Sequence, residues 1–380
     1  MGLFKKIKAR LFVSLALVLL ILVVAASQAS AAVQELTGTA ASPAPNDLVV
    51  DASGFINDAG GAAFGLYTLT GANVSLADNN TVAEDATLYV FDSNGSANDL
   101  TLSGTINISA TKTLTFILGQ NSDTVTNHAT NGMADLFLTG VISGGGNMNI
   151  NGGTAGGTDI TQAQVINLTG ADNAFGNLTI TNTNASATNS ASALTVTDLA
   201  DNNMTATNVT ISGGAGGATA TKISGLLTVA EASGTVAVSG TYLIQGGTAG
   251  IEASNAEVGG AGGAITLTQH TGAISGGTFT VRGGVGGTST HTGGTGGLGG
   301  AATVSDIDGA ISSTTINYIA GAGGNGTASG GLGGVGGQFN VAAQSGAITA
   351  TTFNITGGAG GNGIDNGGAT SDGANGGAFG

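Results

Sequence analysis

The chain predicts an all-β fold, a parallel β-solenoid with three short strands per coil and glycine-rich loops projecting from one corner. Three observations carry this. The first is an internal repeat: Thr241-Tyr-Leu-Ile, Thr278-Phe-Thr-Val, Thr315-Ile-Asn-Tyr and Thr352-Phe-Asn-Ile start 37 residues apart each time. The second is a period-two alternation of apolar and small polar residues, which is the signature of a half-buried strand. The third is a glycine-rich stretch inserted at the same place in each unit. A unit of this size cannot bury its own apolar face, so the repeat has to stack as an array.

The register names the rungs of the stack. Val209, Tyr242, Phe279, Ile316 and Phe353 share one face of the first strand, with Ile211, Ile244, Val281, Tyr318 and Ile355 two residues on. Side chains two apart lie on the same side of a strand. The second strand repeats the pattern at Ile265/Leu267, Ala302/Val304 and Phe339/Val341, and the third at Ile274, Ile311 and Ile348. Strands stacked about 4.8 Å apart then enclose a continuous interior. Phe279 is expected as a buried rung between Tyr242 and Ile316. A β-sandwich from the same strands is the alternative, and the constant offset at all three strand positions favours the solenoid.

Glycine is concentrated in the C-terminal half, where residues 206–380 hold 50 of the 71. The runs at 283–287, 293–300 and 330–337 fall between the first and second strands. Two readings are open. They are flexible linkers, or they are ordered stacks of extended glycine strands whose backbones approach closely for want of side chains.

The N-terminus predicts export. Lys5, Lys6, Lys8 and Arg10 precede an apolar run from Leu11 to Ala26, and Ala29-Ser30-Ala31 supplies a small-residue cleavage site. That order is a secretory signal peptide over residues 1–31, which places the product outside the cell or on its surface. Residues 32–50, with Pro43 and Pro45, read as a leader. Residues 51–205 read as a first β-helical region, and 206–380 as the glycine-rich repeats. The unit that opens at Gly376-Gly-Ala-Phe stops short, so a longer protein or a truncated reading frame is expected.

Cleavage leaves Lys112, Lys222 and Arg282 as the only cations against 22 acids, a formal charge of −19. Three cations cannot neutralise a phosphate backbone, which excludes nucleic acid as a partner. The absence of cysteine removes disulfides and thiolate metal sites.

Candidate chemistry is sparse. Asp306 and Asp308 lie two apart and could share a face, as acid–base work on a glycoside requires. The equivalent positions in adjacent units are Gln269/Thr271 and Ala343/Ser345, so the acids form no ridge. A carbohydrate-active enzyme is therefore the alternative reading and a non-catalytic protein the main one. His128, His270 and His291 lack a metal-ligand spacing. Gly360-Gly-Asn-Gly-Ile-Asp-Asn-Gly has the form of one calcium-binding nonapeptide, which makes Asp365 a weak calcium candidate. No other cofactor is expected. Asn-x-Ser/Thr triplets such as those at Asn167 and Asn208 follow from an Asn- and Thr-rich composition. Thr-x-Thr pairs raise an ice-binding solenoid as a further alternative. The outward row Thr210, Leu243, Thr280, Asn317 and Asn354 is not uniform, which counts against it.

Residues 138–180 resemble the autotransporter-associated β-strand repeat of bacterial passenger domains. The matching pieces are Leu138-Thr-Gly-Val-Ile-Ser-Gly-Gly-Gly-Asn and Val165-Ile-Asn-Leu-Thr-Gly-Ala-Asp-Asn-Ala-Phe-Gly-Asn-Leu-Thr-Ile. About one repeat is covered, and the segment between the two halves is enlarged by Gly152-Gly-Thr-Ala-Gly-Gly. The resemblance implies a right-handed β-helical passenger exposed on a bacterial surface, commonly as an adhesin or stalk. The expected role is thus a structural or adhesin-like surface protein, whose glycine loops touch surface glycans or like molecules.

Overall fold

A computed structural model describes isolated strands between residues 49 and 92, and then residues 99–118, 135–152, 164–170, 172–182, 191–197, 203–216, 224–230, 233–251, 258–364 and 374–378. Residues 1–31, read from the sequence as a signal peptide, nearly all of the expected leader, His128, Lys222 and Asp365 lie outside these residues. Among the described residues every regular element is a strand, and the strands stack as a β-solenoid.

Three sheets form its walls. A ten-stranded sheet runs from Leu66–Leu69 to Ile348–Thr356, and a nine-stranded sheet from Val74–Leu76 to Phe339–Val341. Every ladder in these two is parallel, as coil upon coil requires. A six-stranded third sheet closes the N-terminal coils through Asn80–Val82, Ile106–Ile108 and Ile142–Ser143. It begins with a small antiparallel meander, in which Val49–Val50 pairs with Ile56–Asn57 and that pairs with Ala63–Phe64.

Beyond Ser143 the third wall no longer stands apart. The third segment of one coil and the first segment of the next run on as one long strand, as in Thr235–Gln245, Ile274–Arg282 and Ile311–Ile319. The corner survives as a bend within the strand. Register shifts between Ala206 and Val209 and between Val238 and Thr241, and Gly276 takes φ 144°. A Cβ on Gly276 would stand 1.6 Å from the Val238 carbonyl oxygen, so the bend is made where a side chain cannot fit. The compositional boundary at 205/206 falls inside the strand Asn203–Ser212.

The core is the set of rungs that the alternation names. Tyr242 pairs with Phe279 and Phe279 with Ile316, all three buried. Their rings and those of the adjoining rows make a column. Centroids lie 5.2 Å apart for Tyr242–Phe279, 6.1 Å for Phe279–Tyr318 and 5.2 Å for Tyr318–Phe339. The last described coil breaks the trend, for Ile348, Phe353 and Ile355 are exposed. Among the described residues their strand pairs with Ile311–Ile319 alone, so there the rungs are covered from one side only.

Side chains extend the ladders at the corners. Asn147 Oδ1 accepts from the Asn177 amide at 2.8 Å, Asn177 Oδ1 from the Asn208 amide at 2.8 Å, and Asn208 Oδ1 from the Thr241 backbone N–H at 2.9 Å. This asparagine ladder supplies acceptors where the strands bend away from regular pairing. Asn167 likewise donates to Thr197 Oγ1 at 3.2 Å. Asn167, Asn177 and Asn208, each the first residue of an Asn-x-Thr triplet, therefore have structural partners.

Candidate interaction surface: the glycine arms

The glycine-rich stretches are ordered stacks. Each unit sends out an arm along 283–290 and returns along 293–300, and the next unit does so along 320–327 and 330–337. Two families of backbone hydrogen bonds hold the arms. Within the outgoing layer, Gly283 N donates to Ile319 O at 2.9 Å and Gly286 N to Ala322 O at 2.8 Å, from one coil to the next. Within the returning layer, Gly296 N donates to Leu332 O at 2.8 Å and Gly299 N to Val335 O at 2.9 Å.

The second family joins the layers and climbs the molecule. Gly284 N donates to Gly263 O (2.9 Å), Gly300 N to Gly284 O (2.7 Å), Gly321 N to Gly300 O (2.9 Å) and Gly337 N to Gly321 O (2.7 Å). A matching zigzag links Gly260, Gly287, Gly297, Gly324, Gly334 and Gly361. In every three residues one amide bonds along its layer and one across to the other layer. The third bears the side chain and faces out. A three-residue period is that of the extended polyproline II helix, which makes no hydrogen bonds of its own and must find them in neighbours.

Glycine is required by the spacing. A Cβ on Gly284 would lie 2.0 Å from Gly247 O, and one on Gly321 1.8 Å from Gly284 O. Between these contacts the Gly-Gly-X runs place their third residues outside. On the returning layer these include Val258, Leu298, Leu332 and Val335, four of the exposed large apolar side chains of the chain. The arms are thus hydrogen-bonded along and across both layers, carry no Asp, Glu, Lys or Arg between Gly283 and Ser305, and present side chains at a fixed repeat.

The other candidate residues do not gather. Asp306 and Asp308 are exposed and flank the buried Ile307. Asp306 has φ 50°, as its counterpart Gln269 has φ 54°, so the pair sits on a left-handed corner and not along a regular strand. Each carboxylate accepts from a hydroxyl of a neighbouring coil: Asp306 Oδ2 from Thr268 at 3.4 Å, and Asp308 Oδ1 from Ser345. His270 is buried under this corner, stacked beside Ile307, with Nδ1 2.9 Å from the Gly272 carbonyl and no partner for Nε2. Desolvation lowers its pKa from 6.5 to about 4, so the ring is neutral and structural. His291 sits at the tip of an arm, where its N–H donates to Ser289 Oγ at 3.4 Å. Among the described residues, no three His, Asp or Glu side chains come together.

Asp365 itself is outside the described residues, but the residues before it are accounted for. Asn362 N donates to Asn325 Oδ1 and Ile364 N to Gly331 O, both at 2.8 Å, so the glycine run at 360–364 continues the arm stack. One shallow, open trough of about 400 Å³ lies along the bend, lined by Phe175, Thr205, Thr207, Ser239, Ser275 and Gly276 among others, none of them an acid or a base.

Sequence reasoning left the order of the arms open. The signal that decides it is the strict Gly-Gly-X period, which spaces a side chain only where the stack faces water. His270 carried a signal too, since the repeat puts Ile307 at the same position and an isoleucine there belongs to a core. The chain matches no protein-family model, no curated protein and no solved structure.

Proposed function

We propose that this chain is an exported, non-catalytic structural protein of a cell surface or extracellular matrix, in which the solenoid is a rigid spacer and the glycine arms make the contacts. The observation that supports this most is the arm surface over 283–300 and 320–337: apolar and small polar side chains, with no Asp, Glu, Lys or Arg among them, held at constant spacing by backbone hydrogen bonds. Such a surface suits weak multivalent contact with surface glycans or with like molecules, in which many small terms add without new ordering cost. The N-terminal signal sequence supports export. The scattering of the acids and histidines favours this reading over a carbohydrate-active enzyme.

The test changes the contact residues and leaves the glycine stack alone. A Leu298→Ser/Leu332→Ser/Val335→Ser variant is compared with the parent chain for thermal unfolding, for attachment to cells and glycan-coated surfaces, and for hydrolysis of a polysaccharide panel. The expected result is an unchanged melting temperature with attachment reduced about tenfold or more. Full attachment by the folded variant would remove the arms from the account, and sustained turnover of any polysaccharide would overturn the non-enzyme reading.

A further inference from the structure

The nine-stranded sheet carries a feature that the first strand of each unit does not. Its outward residues align in register as Thr195↔Thr228, Thr228↔Thr266 and Thr266↔Thr303, a row of four threonines on four successive coils. Two residues further along each strand stand Thr197, Ala230, Thr268 and Ser305. The uneven row Thr210, Leu243, Thr280, Asn317 and Asn354 belongs to the ten-stranded sheet and says nothing about this face.

We infer that this threonine face binds the surface of ice. Four properties lead there. Parallel stacking spaces the four threonines of this row about 4.8 Å apart, a one-dimensional ladder of hydroxyl and methyl groups. Threonine is β-branched, so the strand restricts χ1 and holds both groups in place. The four side chains are half-buried, which keeps the array level. Their hydroxyls have no side-chain partner among the described residues, whereas Thr197 accepts from Asn167, and Thr268 accepts from Ser305 and donates to Asp306.

A row of identical, unpartnered, uncharged hydroxyls suits a ligand that repeats at a similar interval. Ice is such a ligand: its surface is an uncharged lattice of donors and acceptors with oxygen spacings of this order. Each contact is weak, and the array makes them additive because it is ordered before the ligand arrives. This inference stands apart from the proposed role of the glycine arms, since it uses a different face.

The experiment measures thermal hysteresis, ice-crystal shape and inhibition of ice recrystallisation with the purified full chain, beside Thr266→Glu, Thr303→Glu, Thr266→Val and Thr278→Glu. The expected result is faceted crystals and inhibition by the parent chain. Thr266→Glu and Thr303→Glu raise the concentration needed by about tenfold or more, Thr278→Glu on the ten-stranded sheet leaves it unchanged, and all four variants keep the parental melting temperature. Thr266→Val, which keeps the shape and a methyl group, serves if the charged variants fail to fold; it should weaken inhibition without changing the melt. A folded parent chain without effect on ice would overturn the inference, as would equal loss in Thr278→Glu. Adsorption to crystalline cellulose or chitin with no effect on ice would also overturn it and assign the face to a solid polysaccharide.

Discussion

Phe279 lies between Tyr242 and Ile316, in ring contact with Tyr242 and Tyr318 and sealed from water. Phe279→Asp puts a carboxylate with no counter-charge into that column. It should cost about 4 kcal/mol or more, read as a shift of the denaturation midpoint. Tyr242 offers the converse case. Its buried hydroxyl has no hydrogen-bond partner, and burial holds its phenol well above the ordinary pKa. Tyr242→Phe should raise stability by about 1 kcal/mol, because a phenyl ring already fits one coil on and an unsatisfied polar group is removed. His270 makes stability depend on acidity. Between pH 6.5 and about 4 the unfolded chain takes up a proton that the buried ring refuses. Stability therefore falls as pH drops through that window and levels off below it, by about 3 kcal/mol in all. His270→Ile, the residue one coil on at Ile307, should flatten that part of the pH profile in equilibrium unfolding.

At the scale of the element, the strands were legible and the arms only half so. Alternation identifies strands because one face of each is buried, and the rungs at Val209, Ile244, Val281 and Ile316 lie where the register puts them. That the third and first segments fuse into Ile274–Arg282 was not legible, since Gly276 and Gly277 read equally as a turn or as a bend within a strand. In the arms, composition alone does not separate a linker from a stack. What separates them is where each amide finds a partner, a property of neighbouring coils. The Gly-Gly-X phase can be tested directly. Gly321→Ala forces a Cβ against Gly284 O on one side and Gly300 N, 2.7 Å away, on the other, and should cost about 3 kcal/mol. Ala322→Val, one residue along at an outward position, should change the midpoint by less than about 0.5 kcal/mol. Thermal melts of the two variants make the comparison; equal effects would mean that the phase is wrong.

Across the whole molecule, the same 37-residue offset that stacks the strands also stacks the arms, so core and glycine layers grow together coil by coil. Each coil is stabilised by its neighbours, as in other solenoids, and the arms add hydrogen bonds without adding an apolar core. The candidate sites are less legible than the fold for a related reason. A rung is specified by its repeat, whereas the threonine face depends on which sheet a row belongs to, and that follows from the stacking. The arms and the solenoid form one hydrogen-bonded body. Amide hydrogen exchange resolved by residue tests this most directly. Gly283, Gly284, Gly286, Gly287, Gly296, Gly297, Gly299 and Gly300 donate backbone bonds, whereas the amides of Val285, Thr288 and Leu298 have no partner among the described residues. The expected record is protection of the eight glycine amides comparable to that of Val281 and Tyr318 in the core, with rapid exchange at every third residue. Uniformly rapid exchange from Gly283 to Gly300, beside a protected core, would contradict the account.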